Sequence, residues 1–531
     1  MLVAEAVGRA LAATGVEHFF GVVGSGNFHL TNALVAAGAR FVAARHEGGA
    51  AVMADAYART SGKLGVLTLH QGPGVTNALT GIAEAAKSRT PMVVLAADTG
   101  AAGARSNFRL DQAALAAGIG AVHERAATPA SAVSDVLRAV RRARTSRRTV
   151  LVSLPLDVQA AVFSGDLAVP SSPAAVQMPD LAALAALASL LASARRPVFI
   201  AGRGARGAAA AISALADRCG ALLATSAVAR GLFNGSPWYL DVAGGFASPA
   251  AAARIAEADA VVAWGCSLNM WTTRHGALLG PDAAVAQVDV DPDALHTGLG
   301  VLGDAAATAT AVLDLVAPSQ GYRTAPLPSV RWRDVPFDDL SGDGRIDPRA
   351  LSIALDDLLP AERTVSVDSG NFMGYPSMYL AVPDEAGFCF TQAFQSIGLG
   401  LATAIGAAVA RPDRLPVAAL GDGGFLMGIA ELETVVRLGL PMVIVVYDDA
   451  AYGAEVHHFA GQDLSTVTFP DTDLAAIARG YGCAGVVVRT PADLGAVRDW
   501  LGGPRDRPLL IDAKVSAARG SWWLEEAFRG H

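Results

Sequence analysis

The sequence predicts an α/β protein built from three doubly wound parallel-sheet domains, and three observations carry that expectation. Short apolar runs rich in Val, Ile, Leu and Ala alternate with helical stretches along the chain. Two segments rich in proline, 163–180 and 318–347, interrupt the alternation and read as linkers. At 531 residues the chain also exceeds what one core can organise, since a domain usually holds about 100–200 residues. The expected domains are 1–165, 181–318 and 346–531.

In the first domain a helical pattern over 2–14 precedes a strand over 18–23 and the turn Gly24-Ser25-Gly26-Asn27. Strands over 40–45, 65–69, 91–96 and 149–153 follow, with a small-residue helix over 50–59. The central unit has strands over 197–201, 221–225, 260–264 and 284–290. Its first turn, Gly202 to Gly207, fits G-x-G-x-x-G. The next strand ends without an acidic residue to take a ribose hydroxyl, so these glycines read as helix-to-strand packing and not as an NAD site. The last unit has strands over 364–367, 415–420, 442–446, 485–488 and 508–512. A small-residue helix is expected over 397–410 and an amphipathic one over 425–440. Gly342-Asp343-Gly344 follows no apolar run and reads as a turn, and the Trp522-Trp523 tail as a docked end or a lid.

Composition narrows the function. Hydrophobic residues make up 52% and charged residues 17%, the balance of a compact chain with extensive buried surface, subunit interfaces included. Lys and Arg number 41 against 49 Asp and Glu, giving −8. With no basic block, nucleic-acid binding has no electrostatic support. No apolar run reaches the ~18 residues of a membrane span, and the N-terminus lacks a signal pattern. The 4 cysteines are widely spaced, without a CxxC pair, as expected of buried thiols in a reducing cytoplasm.

The chemistry concentrates at Gly421-Asp422-Gly423-Gly424, between an apolar run and a helical stretch. A helix N-terminus offers unpaired N–H groups to a phosphate, and glycines let the backbone approach it. Asp422 supplies a hard oxygen for Mg²⁺. Asp449 ends the next apolar run and precedes Tyr452-Gly453, so parallel strands would place both aspartates outside their carboxyl ends. Ser369 and Asn371, in a Gly turn after a strand, add candidate phosphate donors.

This pattern resembles the diphosphate motif of thiamine-diphosphate enzymes. Arg45-His46-Glu47-Gly48-Gly49 with Gly72-Pro73-Gly74-Val75-Thr76-Asn77 resembles the first domain of the acetohydroxyacid synthase (acetolactate synthase) and pyruvate decarboxylase group. The resemblance implies thiamine diphosphate and Mg²⁺ as cofactors, with Asp422, Asp449 and the Ala451 carbonyl as metal ligands. It implies Pro73, Asn77, Gly421, Gly423, Gly424, Tyr452 and Gly453 around the cofactor, Ile397 as the prop that bends it, and the Gln395 carbonyl as acceptor of its amino group. Glu47 would be catalytic, and His70 either a proton shuttle or a loop histidine bonded for structure. Ser25, Gln112, Glu455 and His457 are candidate substrate contacts. Two departures stand out: Asp448-Asp449 where Asn-Asn is common, and no Gln-Glu before Leu110-Asp111-Gln112. The implied reaction is decarboxylation of a 2-oxo acid and carboligation to an aldehyde or second oxo acid. A simple decarboxylase, an aldehyde lyase and a catalytically silent assembly subunit are the alternatives, and FAD in the central domain stays open. A homodimer or homotetramer with active sites between subunits is implied, with no nucleic-acid or membrane partner.

Overall fold

The computed structural model describes residues 1–100, 103, 105–165, 167, 176–296 and 298–527; most of the stretch expected as the first linker, 166 and 168–175, lies outside the described residues. Three six-stranded sheets form, parallel at every pairing. The first contains β1 (His18–Gly21), β2 (Arg40–Ala43), β3 (Gly65–Leu69), β4 (Met92–Asp98), β5 (Val122–Arg125) and β6 (Thr149–Pro155), in the order β2-β1-β3-β4-β6-β5. The second contains β7 (Pro197–Ala201), β8 (Leu222–Thr225), β9 (Tyr239–Val242), β10 (Ala260–Trp264), β11 (Ala284–Asp289) and β12 (Leu299–Leu302), in the order β12-β11-β10-β7-β8-β9. The third contains β13 (Arg363–Val367), β14 (Phe388–Phe390), β15 (Leu415–Gly421), β16 (Val443–Asp448), β17 (Ala484–Val488) and β18 (Leu509–Lys514), in the order β14-β13-β15-β16-β18-β17. Helices cover the faces of each sheet, so the expected α/β class with three parallel sheets is the fold observed. Among the described residues no helix is long and apolar enough to cross a membrane.

Strands β5, β9, β12 and β14 have no counterpart in the sequence expectation, and each lies at a sheet edge. Three of them are only partly buried, and β14 is 3 residues long, so neither produces the continuous apolar run of a strand covered on both faces. The expected helix over 425–440 is two helices, Asp422–Met427 and Glu431–Arg437. The helix expected from 397 begins at Gly400, because Gly398 takes φ +88° and the preceding backbone turns toward Asp368. The glycines of the G-x-G-x-x-G turn pack against another turn: a Cβ on Gly202 or Gly204 would meet Gly265, after β10, at 2.2 and 2.7 Å. Gly342-Asp343-Gly344 is a turn closed by Gly342 N–H on the Arg345 carbonyl. The tail is docked, with Trp523 2% exposed against Gly374 and edge-on to Tyr375.

The terminal domains join through two helices of small residues. In Glu47–Ser61, residues 50–60 are all buried, covered by the first sheet on one side and by Gly400–Ala410 on the other. Gly406 makes that contact: a Cβ there would sit 2.3 Å from the Met53 carbonyl oxygen. Arg59 lies at the junction of all three domains. It pairs with Asp55 at 2.9 Å and Glu84 at 3.2 Å, donates to the Phe390 carbonyl, and receives Arg206 on its own carbonyl.

Gly406→Ala is expected to lower the thermal midpoint by several degrees, overpacking of this kind costing about 1–3 kcal/mol. Gly480→Ala, in helix Leu474–Tyr481 with open space around its added Cβ, is expected to leave the midpoint unchanged or raise it slightly. Scanning calorimetry of the two variants checks the contact, and equal midpoints would count against it.

Candidate active site

The C-terminal half of the site forms where β13, β15 and β16 end. Asp368, fully buried directly after β13, accepts from the N–H groups of Ser369 and Gly398 at 2.9 Å and of Leu399 at 3.2 Å. Burial pushes its carboxyl up to about 6 against the pull of those donors. A Cβ on Gly424 or Gly400 would meet Asp368 at 2.5 Å, so the Gly421-Asp422-Gly423-Gly424 turn, the segment after Gln395 and the Ser369 turn close around one carboxylate. Sequence reading assigned Asp368 no role; its signal is an acidic residue at the carboxyl end of a buried strand.

Asp422 opens its short helix and is 8% exposed. Burial and the neighbouring Asp449 and Asp448 push its carboxyl up to about 8. Asp449 is pushed up to about 6, by burial first and by Asp448; its Oδ1 accepts from Ala451 N–H at 3.2 Å. Ala450 takes the left-handed conformation, φ +57°, which folds Asp449 and Ala451 into a tight turn. Gly453 fits beside them: its Cβ would meet Asp449 Oδ2 at 2.3 Å and Asn371 at 3.2 Å. Tyr452 lies over Gly423. A cavity of about 280 Å³ opens here, lined by Asp422, Gly423, Met427, Asp448, Tyr452 and Thr472. Gln395 is exposed in a left-handed conformation, and Ile397 is half-buried three residues before the helix; the expectation of a helix-starting Ile is corrected accordingly. Ser369 Oγ donates to Gln392 Oε1 at 3.2 Å, and Asn371 accepts from Ser521 of the tail. Glu455 is exposed in the short helix Gly453–His458, and His457 is half-buried against Gly520.

The N-terminal half lies beyond β2 and β3. Glu47 begins its helix half-buried, and Asn77 Nδ2 donates to its Oε2 at 3.0 Å. Gly74 separates the two expected catalytic side chains; its Cβ would stand 3.3 Å from His70 Cβ and 3.7 Å from Glu47 Oε1. Pro73 is exposed at the start of the same helix. Gly26 N–H donates to His70 Nδ1 at 3.2 Å, so the ring's proton is on Nε2. The Gly24-Ser25-Gly26 turn packs on the ring, leaving Ser25 exposed, and Phe108 meets it edge-on at 5.2 Å. Gln112 stands apart, buried, with its amide donating to the Ala97 carbonyl and accepting from Ser153 Oγ. Both ends of that side chain are taken by the first sheet.

Two buried glutamates, also missed from sequence, link the halves within the chain. Glu431 accepts from Arg45 and His46 N–H at 3.0 Å each, immediately before Glu47. Glu84 accepts from Ala393 and Phe394 N–H at 3.2 and 2.7 Å, immediately before Gln395. Neither has a sequence signal, because each partner lies more than 300 positions away.

Glycine-lined turns carrying carboxylates, at the carboxyl ends of adjacent parallel strands, stand where open α/β sheets bind ligands. Comparison gives the site a family. Residues 1–117, 184–312 and 368–513 match the N-terminal, central and C-terminal domains of thiamine pyrophosphate enzymes. The chain is 32% identical to a probable 2-ketoarginine decarboxylase of Pseudomonas aeruginosa, over 97% of this chain and 94% of that protein. It is 30% identical to a sulfoacetaldehyde acetyltransferase of Rhodobacter capsulatus, over 99% and 96%, and 29% identical to the acetolactate synthase isozyme 2 large subunit of Escherichia coli, over 98% and 97%. The fold matches a thiamine diphosphate-dependent 4-hydroxybenzoylformate decarboxylase of Rhodococcus jostii with a TM-score of 0.84 at 23% identity, over 97% and 99% of the two chains. The chain belongs to the thiamine pyrophosphate enzyme family.

The carboxyl shifts set a pH dependence. Asp422 at about 8, and Asp449 and Asp368 at about 6, hold protons in the folded protein that an unfolded aspartate near 3.9 releases. Their contribution to stability is therefore complete below about pH 4 and lost as pH rises through about 6 and then about 8. The thermal midpoint of protein free of divalent cations is expected to fall from pH 5 to pH 8.5, and Asp422→Asn to flatten the upper part of that slope.

Proposed function

We propose that this thiamine-diphosphate-dependent enzyme uses Mg²⁺, decarboxylates a 2-oxo acid and joins the resulting fragment to an aldehyde or a second oxo acid. The observation that carries the reading is that Asp422 and Asp449, at the ends of adjacent strands β15 and β16, lie near enough for the Asp449 charge to raise the Asp422 carboxyl, two such carboxylates being oxygen donors that a hard divalent cation favours. Side chains at 424 and 453 would collide with Asp368 and with Asp449 and Asn371, so these turns are glycine, and glycine turns let a phosphate approach the backbone. When bound, the cofactor supplies the electron sink that decarboxylation needs.

In this reading Asp422, Asp449 and Ala451 hold the cation, Gly421, Gly423, Gly424, Ser369 and Asn371 receive the phosphates, and Ile397 and Gln395 set the cofactor's bend and amino group. Tyr452 and Gly453 close the phosphate end, and Pro73 and Asn77 line the pyrimidine end. Glu47, oriented by Asn77, holds the proton at the ring nitrogen. His70, with its Nε2–H presented by the Gly26 contact, delivers a proton to the substrate and takes one back at the same nitrogen, beside Ser25, Glu455 and His457. We assign domains 1–165, 181–318 and 346–531, a cytoplasmic homodimer or homotetramer, and sites between the N-terminal domain of one subunit and the C-terminal domain of another. The relatives' activities, on a 2-oxo acid, on sulfoacetaldehyde and toward acetolactate, support this reaction class. A cavity of about 440 Å³ beside the β7 and β10 ends lies where doubly wound sheets take nucleotides, which keeps FAD an open second cofactor.

Mass analysis of products from purified protein supplied with thiamine diphosphate, Mg²⁺ and a panel of 2-oxo acids, with and without aldehydes, tests the proposal; no turnover of any 2-oxo acid would overturn it. Glu47→Gln is expected to retain fold and cofactor binding while turnover and exchange of the cofactor's C2 proton fall by about 10²–10⁴-fold. His70→Ala is expected to lower kcat about 10²-fold with an unchanged melting temperature. A melting shift with intact saturated turnover would make His70 a structural residue.

A further inference from the structure

The turn that carries Asp449 starts from a second carboxylate, and that carboxylate has its own cation. Asp448 ends β16 and Lys514 ends β18, and the parallel register sets them side by side. Both are almost wholly buried, at 2% and 1% exposure. Lys514 Nζ lies 2.6 Å from Asp448 Oδ2, 2.6 Å from Asp471 Oδ1 and 3.1 Å from Asp512 Oδ2, and donates to the Thr472 carbonyl at 2.8 Å. One ammonium has three N–H donors, and here they are shared among four oxygens.

Asp448 in turn shapes the loop beyond it. Its Oδ1 accepts from Ala450 N–H at 2.9 Å, the bond that accompanies the left-handed conformation of Ala450, the residue between Asp449 and Ala451. Its carbonyl accepts from Arg345 Nη1 at 3.1 Å and from Val515 N–H at 2.9 Å. Asp448 also lines the cavity that Asp422 and Gly423 enclose. An uncompensated carboxylate at this place would repel a diphosphate and compete for the cation meant for Asp422 and Asp449. A buried amide could make the same bond to Ala450 without that penalty; a carboxylate can do so only with a positive charge held beside it.

We propose that Lys514 is a positioning residue for the metal-diphosphate site: it neutralises Asp448 and holds it as the acceptor that forms the Ala450 turn, so that a Lys-Asp pair does the work of a neutral amide. The inference rests on the reading that this turn binds thiamine diphosphate with a divalent cation. Lys514 touches neither group; it acts through Asp448.

The test is titration of the purified full-length chain with thiamine diphosphate in excess MgCl₂, followed by tryptophan fluorescence and calorimetry, with circular dichroism and melting of each cofactor-free variant. K514M is expected to raise the cofactor dissociation constant at least about tenfold, the scale on which outer-shell partners of a metal site act. D448N/D512N/K514M, which removes the two buried negative charges with the positive one, is expected to return to within about threefold of the parent, as is D448N alone. A merely structural ion pair would lower the melting temperature of K514M and leave its dissociation constant unchanged, and that result overturns the proposal. So does a folded triple variant that binds no better than K514M. Should K514M fail to fold, the triple variant decides: binding near the parent's supports the pair as an amide equivalent, and a loss beyond tenfold overturns it. A parent that does not bind thiamine diphosphate at all would instead overturn the functional reading, and this inference with it.

Discussion

The site depends on an exchange of buried carboxylates between the terminal domains. Glu431 reaches from the third domain to cap the N–H groups ahead of Glu47, and Glu84 reaches from the first to cap those ahead of Gln395. The loops so held have backbone donors that no strand or helix satisfies, and a buried donor without a partner costs about 1–3 kcal/mol. Each loop is therefore completed by the other domain. The helices carrying the glutamates, Pro73–Lys87 and Glu431–Arg437, pack close enough only because the intervening helices are built of small residues. Gly49, where a Cβ would meet Glu431 at 2.5 Å, is part of the same condition.

Within the third domain Asp368 serves the purpose that the glutamates serve between domains. Three N–H groups and two glycines converge on it, and they belong to segments after β13 and β15 and ahead of Gly400–Ala410. A single carboxylate can hold such a knot because its oxygens offer about four lone-pair sites, which a neutral side chain would not match.

The buried carboxylates of this protein are compensated in different ways. Asp55 and Glu84 are neutralised by Arg59, and Asp448 and Asp512 by Lys514, so these charges are settled within the chain and shape it. Asp422 and Asp449 have no ion pair among the described residues, and burial drives both upward, with Asp449 and Asp448 adding to the rise at Asp422 and Asp448 to the rise at Asp449. Glu431 and Asp368 also lack an ion pair among the described residues, but each is held by several N–H donors; Asp422 and Asp449 are the perturbed carboxylates that fit a ligand-binding role.

The sequence by itself determined the three sheets, because a strand covered on both faces must be a continuous apolar run, and β3, β7 and β10 were legible to the residue. It also marked the Gly421–Gly424 turn, whose glycines and Asp422 are neighbours in the chain, and Asp449 one strand later. It did not reveal β5, β9, β12 and β14, whose place at the edges frees them from that hydrophobic pattern. Nor did it reveal the break between Asp422–Met427 and Glu431–Arg437, or that Gln112 is spent on Ala97 and Ser153. Glu84, Glu431 and Lys514 were decided by tertiary structure alone. Each acts on a partner distant in sequence, and a carboxylate or ammonium acquires such a role only from what folding brings within about 3 Å of it.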